Sequence, residues 1–214
     1  MSSILANATR RRVLTTLAAG GLTMAIDQRA ALPAASAQTF DFTKPLDGWM
    51  TVAGRWAIEE VAGASNGGRA LVQRATNYDF DVIVAPGGPY DNVDVSVRFK
   101  PMSGRVDASA GIVFRFSEGR YYVIRANALE DNFNLYYYDR GRREIAGARV
   151  KAPSLGQWHK LRITAVGDRI QGWLNEQKLI DRQDGRFKSG GVGLWTKADS
   201  VTAFDDLTIA PVDG

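Results

Sequence analysis

The chain has 214 residues, with 27 lysines and arginines, 23 aspartates and glutamates, a formal net charge of +4, one histidine and no cysteine. The missing cysteines exclude disulfide staples, thiol catalysis and iron–sulfur ligation, and the single His159 excludes any site that needs two imidazoles.

The first segment reads as an export leader. Arg10, Arg11 and Arg12 precede an apolar run over residues 13–26, and small residues end at Ala35-Ser36-Ala37. Thr9-Arg10-Arg11-Arg12-Val13-Leu14 is similar to the Ser/Thr-Arg-Arg-x-hydrophobic-Leu pattern of substrates of the twin-arginine translocon, and Arg29 adds the late positive charge common in such signals. The apolar run of 14 residues falls short of the ~20 that span a bilayer, so no stable membrane anchor is expected. Cleavage after Ala37 leaves 177 residues with 23 basic and 22 acidic side chains, because residues 1–37 hold four arginines and one aspartate. The mature net charge of +1 removes the argument for a nucleic-acid partner. The expectation is a periplasmic or extracellular domain over residues 38–214.

Residues 38–214 alternate short apolar and polar segments between glycine, aspartate, asparagine and proline, with no amphipathic helix. This predicts an all-β antiparallel domain of two packed sheets. Strands are predicted at 56–60, 70–74, 80–85, 93–99, 110–116, 121–127, 133–138, 161–165, 170–175, 178–182, 192–196 and 203–209. The clearest places Val93, Val95, Val97 and Phe99 on one face and Asp94, Ser96 and Arg98 on the other. Gly-Gly pairs at 67–68, 87–88 and 190–191 mark turns, and none precedes a helix as a phosphate loop would.

Function is read from the hairpin over residues 111–127. A three-residue loop of Ser117, Glu118 and Gly119 would oppose Arg115 to Tyr121, Val113 to Val123 and Gly111 to Arg125. One face then collects Arg115, Tyr121, Arg125 and Asn127, joined by Asn134, Tyr136 and Tyr138 from the next strand, around a glycine that leaves room above the backbone. Such a face suits a saccharide, whose C–H side packs on aromatic rings while its hydroxyls meet arginine and asparagine. The plain alternative is an ordinary solvent-facing sheet. Of the five tryptophans, Trp158 is assigned to structure and Trp195, beside Lys197, to a groove wall.

Together, six segments resemble the concanavalin-A-like sandwich superfamily, and within it the bacterial 3-keto-disaccharide hydrolase domain and its laminin-G-like relatives, across roughly residues 40–210. They are Asp47-Gly48-Trp49, Ala110-Gly-Ile-Val-Phe-Arg115, Gly156-Gln-Trp-His-Lys-Leu-Arg-Ile163, Gly167-Asp-Arg-Ile-Gln-Gly-Trp-Leu-Asn175, Gly191-Val-Gly-Leu194 and Phe204-Asp-Asp-Leu-Thr-Ile209. The resemblance implies a jelly roll whose concave sheet holds a saccharide or acts on a glycosidic bond, with Arg115 as a ligand contact. Where the family has an Asn-Gly turn, this chain has Asn175-Glu176, and it lacks the Glu-x-Asp-x-x-Glu string of related glucanases. That argues against retaining hydrolysis, which needs two carboxyls about 5 Å apart.

Two further expectations follow. Hydrolysis or elimination of a glycoside, including a 3-keto-glycoside, would use Glu118 or Glu130 as acid or base. Sandwiches of this superfamily often hold calcium where terminal strands meet, so Asp205 and Asp206 with Asp41 are the candidate ligands of a structural ion, and no other cofactor is expected. The alternative for that pair is one carboxylate accepting backbone hydrogen bonds while its neighbour faces solvent. A third class, an envelope interaction module without a small ligand, stays open.

Overall fold

The computed structural model describes residues 36–77 and 79–213. The expected leader therefore lies almost wholly outside the described residues. In chain order the strands are β1 Gln38–Phe40, β2 Met50–Ala53, β3 Trp56–Glu60, β4 Arg69–Gln73, β5 Phe80–Val84, β6 Val93–Ser103, β7 Ser109–Ser117, β8 Arg120–Asn127, β9 Asn132–Tyr138, β10 Arg142–Arg149, β11 His159–Val166, β12 Arg169–Leu174, β13 Gln177–Gln183, β14 Gly191–Lys197 and β15 Val201–Pro211. They form two antiparallel sheets. One runs β13-β12-β11-β6-β15-β4-β3 with β1 added to β15, and the other runs β10-β9-β8-β7-β14-β5-β2.

The period-two alternation of the strands puts one apolar row of each sheet inside the sandwich. In the 8-stranded sheet Val95 pairs with Ile163 and Val97 with Leu161. Their side chains share a core with Ile112, Phe114, Ile124, Phe133, Leu135 and Leu194 of the 7-stranded sheet. Each such side chain contributes about 1.5–3 kcal/mol by leaving water. The sheets approach closely at Gly172 of β12, where a Cβ would sit 2.0 Å from Ile124 Cδ1. A larger residue there would force the Ile124 side chain to repack.

All twelve predicted strands are present, and β1, β2 and β10 are additional. β10 reads Arg-Arg-Glu-Ile-Ala-Gly-Ala-Arg, an edge strand whose alternation is broken by a bulge between Glu144 and Ala146. The 175–176 turn keeps the expected hairpin geometry despite its glutamate, since Asn175 and Glu176 both adopt positive φ (47° and 66°).

One register differs from expectation. Gly111 opposes Arg125 and Val113 opposes Val123 as predicted, but the turn is the two-residue Glu118-Gly119, closed by a Ser117–Arg120 pair. Both turn residues have positive φ, 51° and 78°, as a type I′ hairpin requires. The extra residue is absorbed as a bulge between Phe114 and Ser117, with Arg115 at φ 51°. Arg115 therefore does not oppose Tyr121.

Candidate functional site

The outer face of the 7-stranded sheet carries a second packed layer. Val82, Val84, Val113, Tyr121, Val123, Tyr136 and Trp195 are buried there beneath the half-buried Phe80, Phe116 and Tyr138. The rings make a continuous row. Phe80 stacks on Trp195 at 5.6 Å and meets Tyr138 edge-on at 5.0 Å, Tyr138 stacks on Tyr121 at 4.8 Å, and Tyr121 on Phe116 at 5.8 Å. Gly111 allows this layer, because a Cβ there would press on Val123 and come within 3.2 Å of the Trp195 ring. The room expected above that glycine is thus taken by Trp195 itself. Burial pushes the Tyr138 hydroxyl up to about 12 and Tyr121 higher still, so both are neutral donors at ordinary pH.

Beside the row lies a polar cluster centred on Arg125, which is 2% exposed. One of its terminal nitrogens donates to Glu130 (2.9 Å), Asn132 (2.8 Å) and the Tyr136 hydroxyl (3.4 Å). The other lies 3.9 Å from Asp107, a fully buried carboxylate that also accepts from Lys197 at 3.2 Å and from Ser109 and Ser200. Burial opposes the charge on Arg125, yet Tyr136, Glu130 and Asp107 around it raise its pKa above the ordinary arginine value. For Glu130, burial alone would raise the pKa, but the hydrogen bonds from Arg125 and Asn132 outweigh it and hold the carboxylate below its usual range. Asn134 donates to the Tyr136 hydroxyl at 2.6 Å and to Glu144 at 3.4 Å, and the Arg142 guanidinium lies 4.6 Å over the Tyr136 ring.

The loop that carries Asp107 is fixed from below. Both oxygens of Asp199 accept from the backbone N–H groups of Arg105, Val106 and Asp107. Asn127 Oδ1 accepts from Leu129 N and Ala108 N, tying the β6–β7 and β8–β9 loops together, while its Nδ2 is buried without a partner. Arg125 Nε is likewise unpartnered.

Of the predicted ligand residues, Tyr121, Arg125, Asn127, Tyr136 and Trp195 do share this face. They form its floor, and partly exposed Phe80, Asn132, Tyr138, Arg142 and Lys197 and exposed Glu144 form its surface. Arg115 is not among them. The bulge turns it toward backbone carbonyls, and it donates to Asp91 O (2.9 Å), Gly167 O (2.7 Å) and Phe187 O (2.8 Å). Glu118 sits in the hairpin turn, 87% exposed, with Arg120 at 3.9 Å as its ion-pair partner and no link to the cluster. The expected calcium set is not assembled either. Arg98 neutralises Asp205 at 2.8 Å, Ser65 and Asn66 donate to Asp206, and Asp41 accepts from Thr43 in its own turn. Among the described residues no three acidic or histidine side chains converge to hold a metal. His159 is structural, its ring nitrogens meeting Ser154 O and the Asn175 amide, each at 3.1 Å. Asp107, Asn132, Arg142, Glu144 and Phe80 were not anticipated. The acid at Asp107 and the asparagine at 132 lie in or beside loops, and the two charges on β10 lie on a strand the alternation did not reveal.

A family model described as the 3-keto-alpha-glucoside-1,2-lyase-like domain matches residues 37–210. The chain belongs to that family. It is 25% identical over 177 residues to a levanase of Bacillus subtilis (strain 168), a match covering 79% of this chain. The chain spans only 24% of the levanase's length. Among solved structures, the carbohydrate binding module CBM66 from Bacillus subtilis superposes with a TM-score of 0.66 at 20% identity, over 76% of this chain and 95% of that one. A Bacillus licheniformis beta-glucanase superposes with a TM-score of 0.56 at 12% identity, over 84% of this chain and 99% of that one. These likenesses establish the jelly-roll sandwich.

Proposed function

We propose that the protein recognises a saccharide on the outer face of its 7-stranded sheet. The observation that carries the reading is Arg125, a buried cation held between Asp107 and Glu130 on the same sheet face as the half-buried rings of Phe80 and Tyr138. A sugar ring would lay its C–H side on the rings, and its hydroxyls would bond to Glu130, Asn132, Glu144 and Lys197, groups whose orientation is already fixed. The family's description and the names of the levanase and the binding module support this reading. Export by the twin-arginine route, read from residues 9–14, the apolar run over 13–26 and Arg29, would put the site outside the cytoplasm. Titration of the full chain with levan and a panel of neutral oligosaccharides, followed by calorimetry, tests the proposal. Saturable binding that falls roughly tenfold in Asn132→Ala and Glu130→Gln is expected. Unchanged binding in both variants would remove this face as the site.

A second reading is elimination of a 3-keto-glucoside, favoured by Glu130 being held ionised beside Arg125. Glu130 would take the C2 proton next to the C3 ketone, and its electron pair would form an enolate stabilised by the cationic cluster. The ketone then re-forms as the C1–O bond breaks, leaving a C1–C2 double bond while the aglycone oxygen takes up the proton. Turnover of a 3-keto-glucoside that disappears in Glu130→Gln while binding persists supports this reading. Binding without turnover in the wild type rejects it.

A further inference from the structure

A cavity of about 210 Å³ opens at the end of the β7–β8 hairpin, away from the Arg125 cluster. Its wall holds four cations, Arg115, Arg120, Arg186 and Lys188, with Ser117, Ser189 and Phe187, and no carboxylate. Three of the cations have acids outside the wall: Arg120 has Glu118 at 3.9 Å, Arg186 has Asp184 and Lys188 has Asp168. Arg115 has no ion pair among the described residues. Its guanidinium is 2% exposed, its contacts are the three backbone carbonyls already described, and its Nε is buried with no partner. Carbonyl dipoles orient a guanidinium but do not neutralise it, and the nearby carboxylates of Asp91 and Asp168 offset its burial only in part, so positive charge remains at the cavity wall. Burial accordingly pulls the Arg115 pKa down.

We propose that this cavity binds an oxyanion: a phosphate, sulfate or carboxylate group. Arg115 supplies the fixed positive floor, Arg120 and Lys188 donate from the rim, and the hydroxyls of Ser117 and Ser189 complete the shell. The anion has two sources, a free inorganic ion or the charged substituent of a saccharide. The second source rests on the proposed saccharide face, because Phe116 and Tyr121 of the same hairpin form the near end of its aromatic row.

Inorganic phosphate and sulfate are titrated into the full chain at constant ionic strength, read by thermal denaturation and calorimetry against chloride. Saturable binding of phosphate or sulfate is expected, weakened roughly tenfold or more in the Arg120→Ala/Lys188→Ala double variant, whose unliganded melting stays near wild type because both side chains are exposed. No saturable effect of either anion, or equal affinity in the double variant, overturns the proposal. Competition between phosphate and a uronate-bearing oligosaccharide assigns the site to a charged substituent, and phosphate binding without competition assigns it to the free ion. Loss of neutral-saccharide binding in Asn132→Ala with phosphate binding intact separates the two sites.

Discussion

On the outer face of the 8-stranded sheet the arginines pair with carboxylates spread along the strands: Arg162 holds Asp94 at 2.6 Å, Arg169 holds Asp181 at 2.7 Å, and Arg98 holds Asp205 at 2.8 Å with Asp206 at 3.5 Å. Arg162 and Arg98 also lie over Trp173 and Trp158 at 4.8 and 4.7 Å. On the outer face of the 7-stranded sheet the guanidinium that lies between two carboxylates is itself buried, and Arg125 and Asn127 keep unpartnered nitrogens. Both faces use the same alternation and similar residue types. The first spreads its ion pairs over separate positions, whereas the second gathers Asp107, Glu130 and Lys197 into one cluster around a buried guanidinium. Concentrated, prearranged polarity is what a ligand can exploit.

The contrast is broken most directly at Arg125. Arg125→Met leaves Asp107 buried without its guanidinium and is expected to destabilise the fold by about 3–5 kcal/mol in urea denaturation, with saccharide binding lost. A change below about 1 kcal/mol would place this cluster with ordinary surface pairs. Asp199→Ala frees three backbone N–H groups and is expected to cost about 1–3 kcal/mol while loosening the loop that carries Asp107. Burial alone would raise the Asp199 pKa, but its backbone hydrogen bonds dominate and lower it. Its contribution is therefore present above the unfolded aspartate range, near 4, and is lost as pH falls through the lower folded value. Wild-type stability should drop on acidification through that window, and the variant's curve should be flatter there. On the other face, Arg162→Ala removes a half-exposed pair and should change stability by about 0–1 kcal/mol with saccharide binding untouched. A larger effect on binding would show that both faces take part.

The sandwich was legible because its strands alternate strictly: Val93 to Phe99 and Leu161 to Ala165 announce both their faces and their pairing. The shared face of Tyr121, Arg125, Asn127 and Tyr136 followed from the same rule. Arg115 was misplaced because register within a hairpin depends on where a bulge sits, and one absorbed residue turns a side chain to the opposite face. β10 was hidden by a bulge at Glu144 and by charges on both sides, so Arg142 and Glu144 went unnoticed. Trp195 was placed on the correct face but at the wrong depth, since no sequence pattern shows that Phe80 stacks above it. Asp107 lies in a loop, where burial comes from tertiary contacts with Lys197, Ser200 and Arg125 that periodicity does not encode.

The bulge at Arg115 also bears on how sequences of this shape can diverge. Its three acceptors are main-chain oxygens: Asp91 in the β5–β6 loop, Gly167 in the β11–β12 turn of the opposite sheet, and Phe187 in the β13–β14 loop. A carbonyl is offered by every amino acid, so the stitch itself specifies no side chain at those positions, although the φ of 53° favours glycine at 167 and Phe187 packs on Tyr122. The arginine cannot, because a shorter or less branched cation would reach at most one of the three. Relatives are therefore expected to keep arginine at the bulge while varying at position 91, where the stitch uses only the main-chain oxygen. A pairwise covariation search would overlook such a tie, although it fastens both sheets and three loops at one end of the molecule.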